Sequence, residues 1–151
     1  MSNVAFASVG TTIAVSASIP ATINSAGFTA LSYTAIGEAS EVPEFGQEQA
    51  LVTFTPLATG VVEKRGGSVD YGELTIPLAL STTDGGQAIL EAKLAQAVTA
   101  DKRASFRVTL PNAQSLYFLA SVRSFKTMVG GSDGITMANS ILSITSPVFK
   151  V

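Results

Sequence analysis

Carboxylate pairs carry most of the chemistry this chain can offer. Glu38 and Glu41 stand three residues apart, and so do Asp70 and Glu73. Paired carboxylates do general acid–base work only when both reach the same reacting group. Both pairs fall in strand-like stretches, where residues three apart point to opposite faces. Histidine and cysteine are absent. Their absence removes the commonest general base and the commonest neutral metal ligand, and leaves nucleophilic catalysis to Ser–Lys or carboxylate arrangements. The run Gly130-Gly131-Ser132-Asp133-Gly134 lacks the Lys-Ser/Thr ending and following helix of a phosphate loop. Asp133 beside Gly134 matches part of a calcium loop, without the other carboxylates. Lys102-Arg103 and Arg107 lie close in sequence, but the net charge is −2 and the pI near 5.0. That balance disfavours adhesive binding of nucleic acid and leaves room for an acidic wall along which DNA slides. The expectation is a non-enzyme with no cofactor and no metal.

The elements that hold these residues read mainly as strands. Phe106, Val108 and Leu110 alternate with Ser105, Arg107 and Thr109, the period of a half-buried antiparallel strand. Val69–Leu80 repeats the pattern with Leu74, Ile76, Leu78 and Leu80 on one face, and Pro77 belongs at an edge or bulge. Ile13, Val15, Ala17 and Ile19 alternate near the start. In Leu116–Val129 the apolar phase slips, so that Phe125 falls opposite Leu116, Phe118, Ala120 and Val122. A similar slip is read in Ile135–Thr145. Slips of this kind predict bulges or bends. One helix is predicted over Gly85–Val98, with Asp84 as N-cap, Gln87 completing a capping-box-like pair, and a stripe of Leu90, Leu94, Ala97 and Val98. The sum is a mainly β fold, a β-sandwich or barrel of antiparallel strands with one helix, in a single domain over residues 1–151.

Charged residues are 13% of the chain and hydrophobic ones 46%, with a mean hydropathy of +0.40. About 25% charged is usual for a soluble domain, so much of this surface is expected to lie against other subunits. No membrane span and no secretory signal are expected. Residues 1–75 lean acidic and residues 76–151 lean basic, an asymmetry suited to head-to-tail contacts if it maps onto faces. Pro43–Gly67 is too long for an ordinary connection and too apolar for plain disorder. It is read as an extended arm on another subunit, with Phe45, Leu51, Val52, Phe54 and Leu57 as anchors and Lys64 and Arg65 as charged partners. The other reading is a β-hairpin folded back on its own domain. The segments Met1–Val9 and Pro147–Val151, light in charge, are further candidates to cross to neighbours.

One stretch carries a family resemblance. Ile23 to Leu57 contains Gly37, Glu38, Pro43, Glu44, Phe45 and Gly46 in the order Gly-Glu-x-x-x-x-Pro-Glu-Phe-Gly. This resembles the tail tube (major tail) proteins of long-tailed, non-contractile (siphovirus-type) bacteriophages. Lys64-Arg65-Gly66, Leu74-Thr75-Ile76, Asp84-Gly85-Gly86-Gln87 and Tyr117-Phe118 extend the resemblance along the chain. It implies a tail-tube-like fold, hexameric rings, and rings stacked into a hollow tube that conducts phage DNA into the host. It implies partners too: further copies of the chain, a tape-measure protein, a tail terminator, distal tail or baseplate proteins, and DNA passing without specific binding. The location implied is the virion tail, assembled in the host cytoplasm. Pro43–Gly67 takes the place of the inter-ring loop, and Glu38, Glu41, Asp70 and Glu73 become candidates for lumen or inter-ring charge. The alternatives are the tube subunit of a contractile tail or type VI secretion-like machine, and a monomeric ligand-binding β-barrel.

Overall fold

A computed structural model describes residues 5–151; the first residues of the candidate crossing segment, 1–4, lie outside it. In chain order the elements are β1 (Thr12–Ser16), α1 (Ser25–Thr29), β2 (Thr34–Ala35), β3 (Glu48–Phe54), β4 (Glu63–Asp70), β5 (Glu73–Ala79), α2 (Gly85–Ala95), β6 (Arg103–Thr109), β7 (Ser115–Met128), β8 (Met137–Ile144) and β9 (Phe149–Lys150). The main sheet runs β2-β1-β6-β7-β8-β5, with β9 also on β7, and every pairing is antiparallel.

Residues 34–40 join the two edges of this sheet. On one side the Ile36 N–H donates to the Ile13 carbonyl at 2.8 Å. On the other, the Ala79 N–H donates to the Glu38 carbonyl and the Ser40 N–H to the Pro77 carbonyl, both at 2.9 Å. The strands therefore close into a small barrel, in which this segment covers the free edge of β1 and the Pro77–Ala79 end of β5. Pro77 sits on the outer side of β5, facing this segment, where no ladder bond to β8 needs its missing N–H. The crossing from one edge to the other turns at Gly37-Glu38, and Glu38 takes a positive φ of 61°.

Alternating residues of β1, β5, β6, β7 and β8 meet inside. Ile13, Val15, Leu74, Ile76, Leu78, Phe106, Phe118 and Leu142 are all at most 2% exposed and form one core. Leu90 of α2 enters the same core. A second, smaller cluster lies on the outer face of β7: Tyr117 and Leu119 pack against Phe28 of α1, with Ile19, Tyr33 and Phe149 around them. Arg107 stacks over the Tyr33 ring at 5.0 Å. Burial pushes the Tyr33 phenol up, and the neighbouring Tyr117 adds to this against the opposing Arg107; the hydroxyl donates to the Phe28 carbonyl at 2.8 Å.

Several expectations meet corrections. The slip in β7 is a bulge: Val122 pairs with Leu142 and Ser124 with Ile141, which leaves Arg123 as the extra residue and returns Phe125 to the core side. No bulge occurs in β8. Ala138, Ser140, Leu142 and Ile144 keep one inward phase, which small Ala138 and polar Ser140 concealed. Val69–Leu80 is two strands, broken at Tyr71-Gly72 where Gly72 takes φ +83°. The helix stops at Ala95, and Val98 is 94% exposed. Asp84 does cap it, accepting from the Gln87 N–H at 2.9 Å, but the Gln87 side chain does not return to the cap. Helix α1 went unread because it spans a single turn, held by Asn24 accepting from the Gly27 N–H at 2.7 Å.

Candidate assembly interface

Strands β3 and β4 form a two-stranded sheet of their own, separate from the barrel. Leu51, Val52, Thr53 and Phe54 supply the β-branched and aromatic residues that favour a strand. Leu51 pairs with Gly66, Val52 with Arg65, Thr53 with Lys64 and Phe54 with Glu63. A register shift between Gln49 and Leu51 marks an extra residue in β4 at Gly67-Ser68. Gly66 leaves the space that the Gln49 side chain fills, and the Gln49 amide donates to the Gly67 carbonyl at 3.1 Å.

All seven residues of β3 are exposed, and all of β4 except Gly67. One face carries Val52, Phe54, Glu63 and Arg65; the other carries Leu51, Thr53 and Lys64, as cross-strand partners share a face. Leu51 is 65% exposed, Phe54 64% and Leu57 105%. The tip from Thr55 to Val62 holds no charge and is closed by the Gly60 N–H donating to the Pro56 carbonyl at 2.9 Å. The arm is thus a hairpin, as the rival reading had it, but one that stands off its own barrel. A two-stranded ribbon with both faces wet is marginal by itself, and exposed apolar side chain on this scale is the kind of surface on which contacts form.

Its root is acidic. Glu48 and Asp70 lie directly opposite each other, an unfavourable like-charge pair. The Asp70 carboxylate also accepts from the Gly72 N–H at 2.9 Å. Glu63 and Arg65 form an exposed pair at 3.7 Å, the kind that contributes little stability.

The sequence-selected residues divide between several places. Leu51, Val52, Phe54, Leu57, Lys64 and Arg65 share the hairpin. Phe45 does not. It precedes β3 and packs its ring 5.2 Å from Phe118 of the core, so its apolar character serves the barrel. Asp70 belongs to the hairpin, whereas Glu73 begins β5 and is ion-paired with Arg123. Glu38 and Glu41 line a different depression of about 550 Å³ beside the barrel closure, with Ser8, Thr11 and Thr12. The four acids therefore lie in three places, with only Glu38 and Glu41 together. Sequence reasoning left out Val61, Val62 and Val69, which are 64%, 51% and 45% exposed, and the opposition of Glu48 to Asp70. The apolar run at Val61-Val62 signalled the first of these; the register of a bulged hairpin is not visible in sequence.

No protein-family model and no curated protein matches this sequence. Solved structures do match in fold. A chain of the cryo-EM structure of an extracellular contractile injection system, PVC sheath/tube terminator in extended state, superposes with a TM-score of 0.72 at 9% identity, covering 99% of this chain and 98% of that one. A chain of the anti-feeding prophage (AFP) baseplate gives 0.73 at 11% identity, covering 100% and 97%. The SPP1 tail tube gives 0.59 at 15% identity, covering 93% and 75%. The chain has a mainly antiparallel β fold of the tail-tube kind, shared by phage tails and contractile injection systems.

Proposed function

We propose that this protein is a tube subunit whose copies close into hexameric rings and whose rings stack, through the β3–β4 hairpin, into a hollow conduit. The observation that carries the reading is the hairpin: it exposes Leu51, Val52, Phe54 and Leu57 and packs none of them on its own barrel. The tail-tube fold supports it. An aromatic anchor such as Phe54 supplies interface energy once a partner buries it, and a head-to-tail contact that does not close propagates into a filament. Glu38, Glu41, Asp70 and Glu73 are assigned to the lumen or to the contact between rings, with Glu73 already paired to Arg123. The subunit does no catalysis. Its partners are further copies, a tape-measure protein, a terminator and distal tail or baseplate proteins. DNA passes without specific binding, and the location is the tail of a virion.

Electron microscopy of the purified protein beside a variant with Glu48–Asp70 replaced by a short Gly-Ser link tests this. Rings or tubes from the intact chain, lost in a variant that keeps its β circular-dichroism spectrum, are expected. Monomers at every concentration, with or without a tail-tip initiator, would favour the ligand-binding barrel and sink the tube.

A second reading is favoured by one observation. The two injection-system chains superpose over 98% and 97% of their lengths, against 75% of the SPP1 tail tube. This supports a tube subunit of a contractile machine over the non-contractile tail that the sequence resemblance suggests. Binding of a contractile sheath protein to assembled tubes decides between them.

A further inference from the structure

A groove of about 500 Å³ lies beside the hairpin root. Val42, Pro43, Phe45, Leu116 and Val148 supply its apolar lining, and Glu44 and Lys150 are its two charged residues. The hairpin tip offers the matching chemistry. Leu57, Val61 and Val62 are uncharged and exposed, and Glu63, Lys64 and Arg65 follow directly behind them. An apolar tip backed by one anion and two cations suits an apolar groove flanked by one anion and one cation.

The hairpin cannot fill the groove of its own copy. Groove residues Val42–Gln47 run straight into β3 at Glu48. A seven-residue strand, at about 3.3 Å per residue, carries the tip about 20 Å from that root. Folding the tip back would require breaking the β3·β4 ladder. A tip that fits this groove must therefore come from another copy.

We propose that the hairpin tip of one copy seats in the groove beside the hairpin root of the next, with Leu57 against Phe45, Leu116 and Val148. This rests on the tube reading, and adds to it the receiving surface. Tip and groove are different surfaces, so the contact is heterologous and each copy offers one of each. Chain growth through this contact has no built-in end.

The absence of cysteine permits a clean test on the full chain. Leu57→Cys and Gln47→Cys both replace exposed residues, so the fold is kept. A bis-maleimide is added to a mixture of the two variants under assembly conditions, and to the double variant. The mixture is expected to give a cross-linked heterodimer, and the double variant a ladder of multimers. A mixture of Leu57→Cys with Asn139→Cys, which is exposed on the barrel wall, is expected to give at least tenfold less heterodimer. Assembled tubes in which Leu57→Cys links no better to Gln47→Cys than to Asn139→Cys would overturn the groove assignment and leave the tube reading standing. A chain that shows no self-association by sedimentation at any concentration would remove both.

Discussion

Gln87 is the side chain on which closure of the barrel depends most directly. It is 1% exposed and uses its whole amide. Its Nε2 donates to the Gly37 carbonyl at 3.1 Å and to the Ala79 carbonyl at 3.0 Å, and its Oε1 accepts from the Ser81 N–H at 3.0 Å. It therefore ties α2 to the closing segment and to the end of β5. Gln87→Met keeps length and volume and removes all three bonds. Each lost bond costs about 1 kcal/mol, and each partner left buried without water adds about as much again, less where the loops relax. The sum is about 3–5 kcal/mol, a large share of a total near 5–15 kcal/mol. With a urea slope of about 2 kcal/mol per molar, the midpoint should fall by about 2 M, measured below the concentration of assembly. Gln87→Glu sharpens the test. The carboxylate keeps the acceptor for Ser81 but faces two carbonyl oxygens, so its pKa is raised in the folded state. A raised carboxyl gains stability as pH falls through its folded value toward its unfolded value of about 4.3, because the folded state then binds the extra proton. Gln87→Glu should recover part of its loss between neutral pH and that point, while Gln87→Met stays flat relative to wild type. A Gln87→Met cost under about 0.5 kcal/mol, the range of an ordinary surface change, would refute the argument.

Other substitutions test neighbouring claims. A methyl at Gly86 would stand 2.4 Å from the Ala35 carbonyl oxygen and 2.7 Å from the Ile36 Cα; Gly86→Ala should lower Tm by about 10 °C, the equivalent of about 3 kcal/mol at this size, read by calorimetry. Leu57→Asp should leave stability within about 0.5 kcal/mol, since Leu57 is 105% exposed, yet abolish sedimenting assemblies; tubes of normal length would count against the hairpin. Arg103 holds the Asp101 carboxyl down at about 2 through their side-chain and backbone hydrogen bonds. A depressed carboxyl contributes stability above its unfolded value that is lost as pH falls through about 2. An NMR titration should find that midpoint, and Arg103→Gln should return it toward 3.8.

The sequence made periodic, one-sided elements legible. Phe106 and Val108, or Leu74, Ile76 and Leu78, alternate without interruption, and each group lies in the core. The misplaced Phe125 disclosed the β7 bulge because a large aromatic marks phase strongly. Ala138 and Ser140 mark it weakly, and an intact β8 looked broken. The break at Tyr71-Gly72 was hidden because strand patterning continues on both sides of it. At the candidate interface, low charge and the apolar run Leu51–Phe54 pointed to an arm. Phe45 was drawn into that arm because sequence proximity says nothing about Phe118, far along the chain and 5.2 Å away in space. The resemblance residues Gly37, Asp84, Gly86 and Gln87 meet in space. The Asp84 carboxylate accepts from both the Gly37 and the Gln87 N–H groups, so these residues serve closure of the barrel.

Both covalent roots of the hairpin converge on β5. The returning root passes through Tyr71-Gly72 into Glu73, the first residue of that strand. The outgoing root follows residues 38–40, whose main chain is bonded to β5 at Pro77 and Ala79, while β8 pairs with the other edge of β5 over all seven of its residues. A pull on the returning root therefore enters β5 at Glu73, and the continuous ladder to β8 resists it along the strand. A tensile load on the hairpin is met by a whole strand, where a loop joined at a sheet face would peel away one bond at a time.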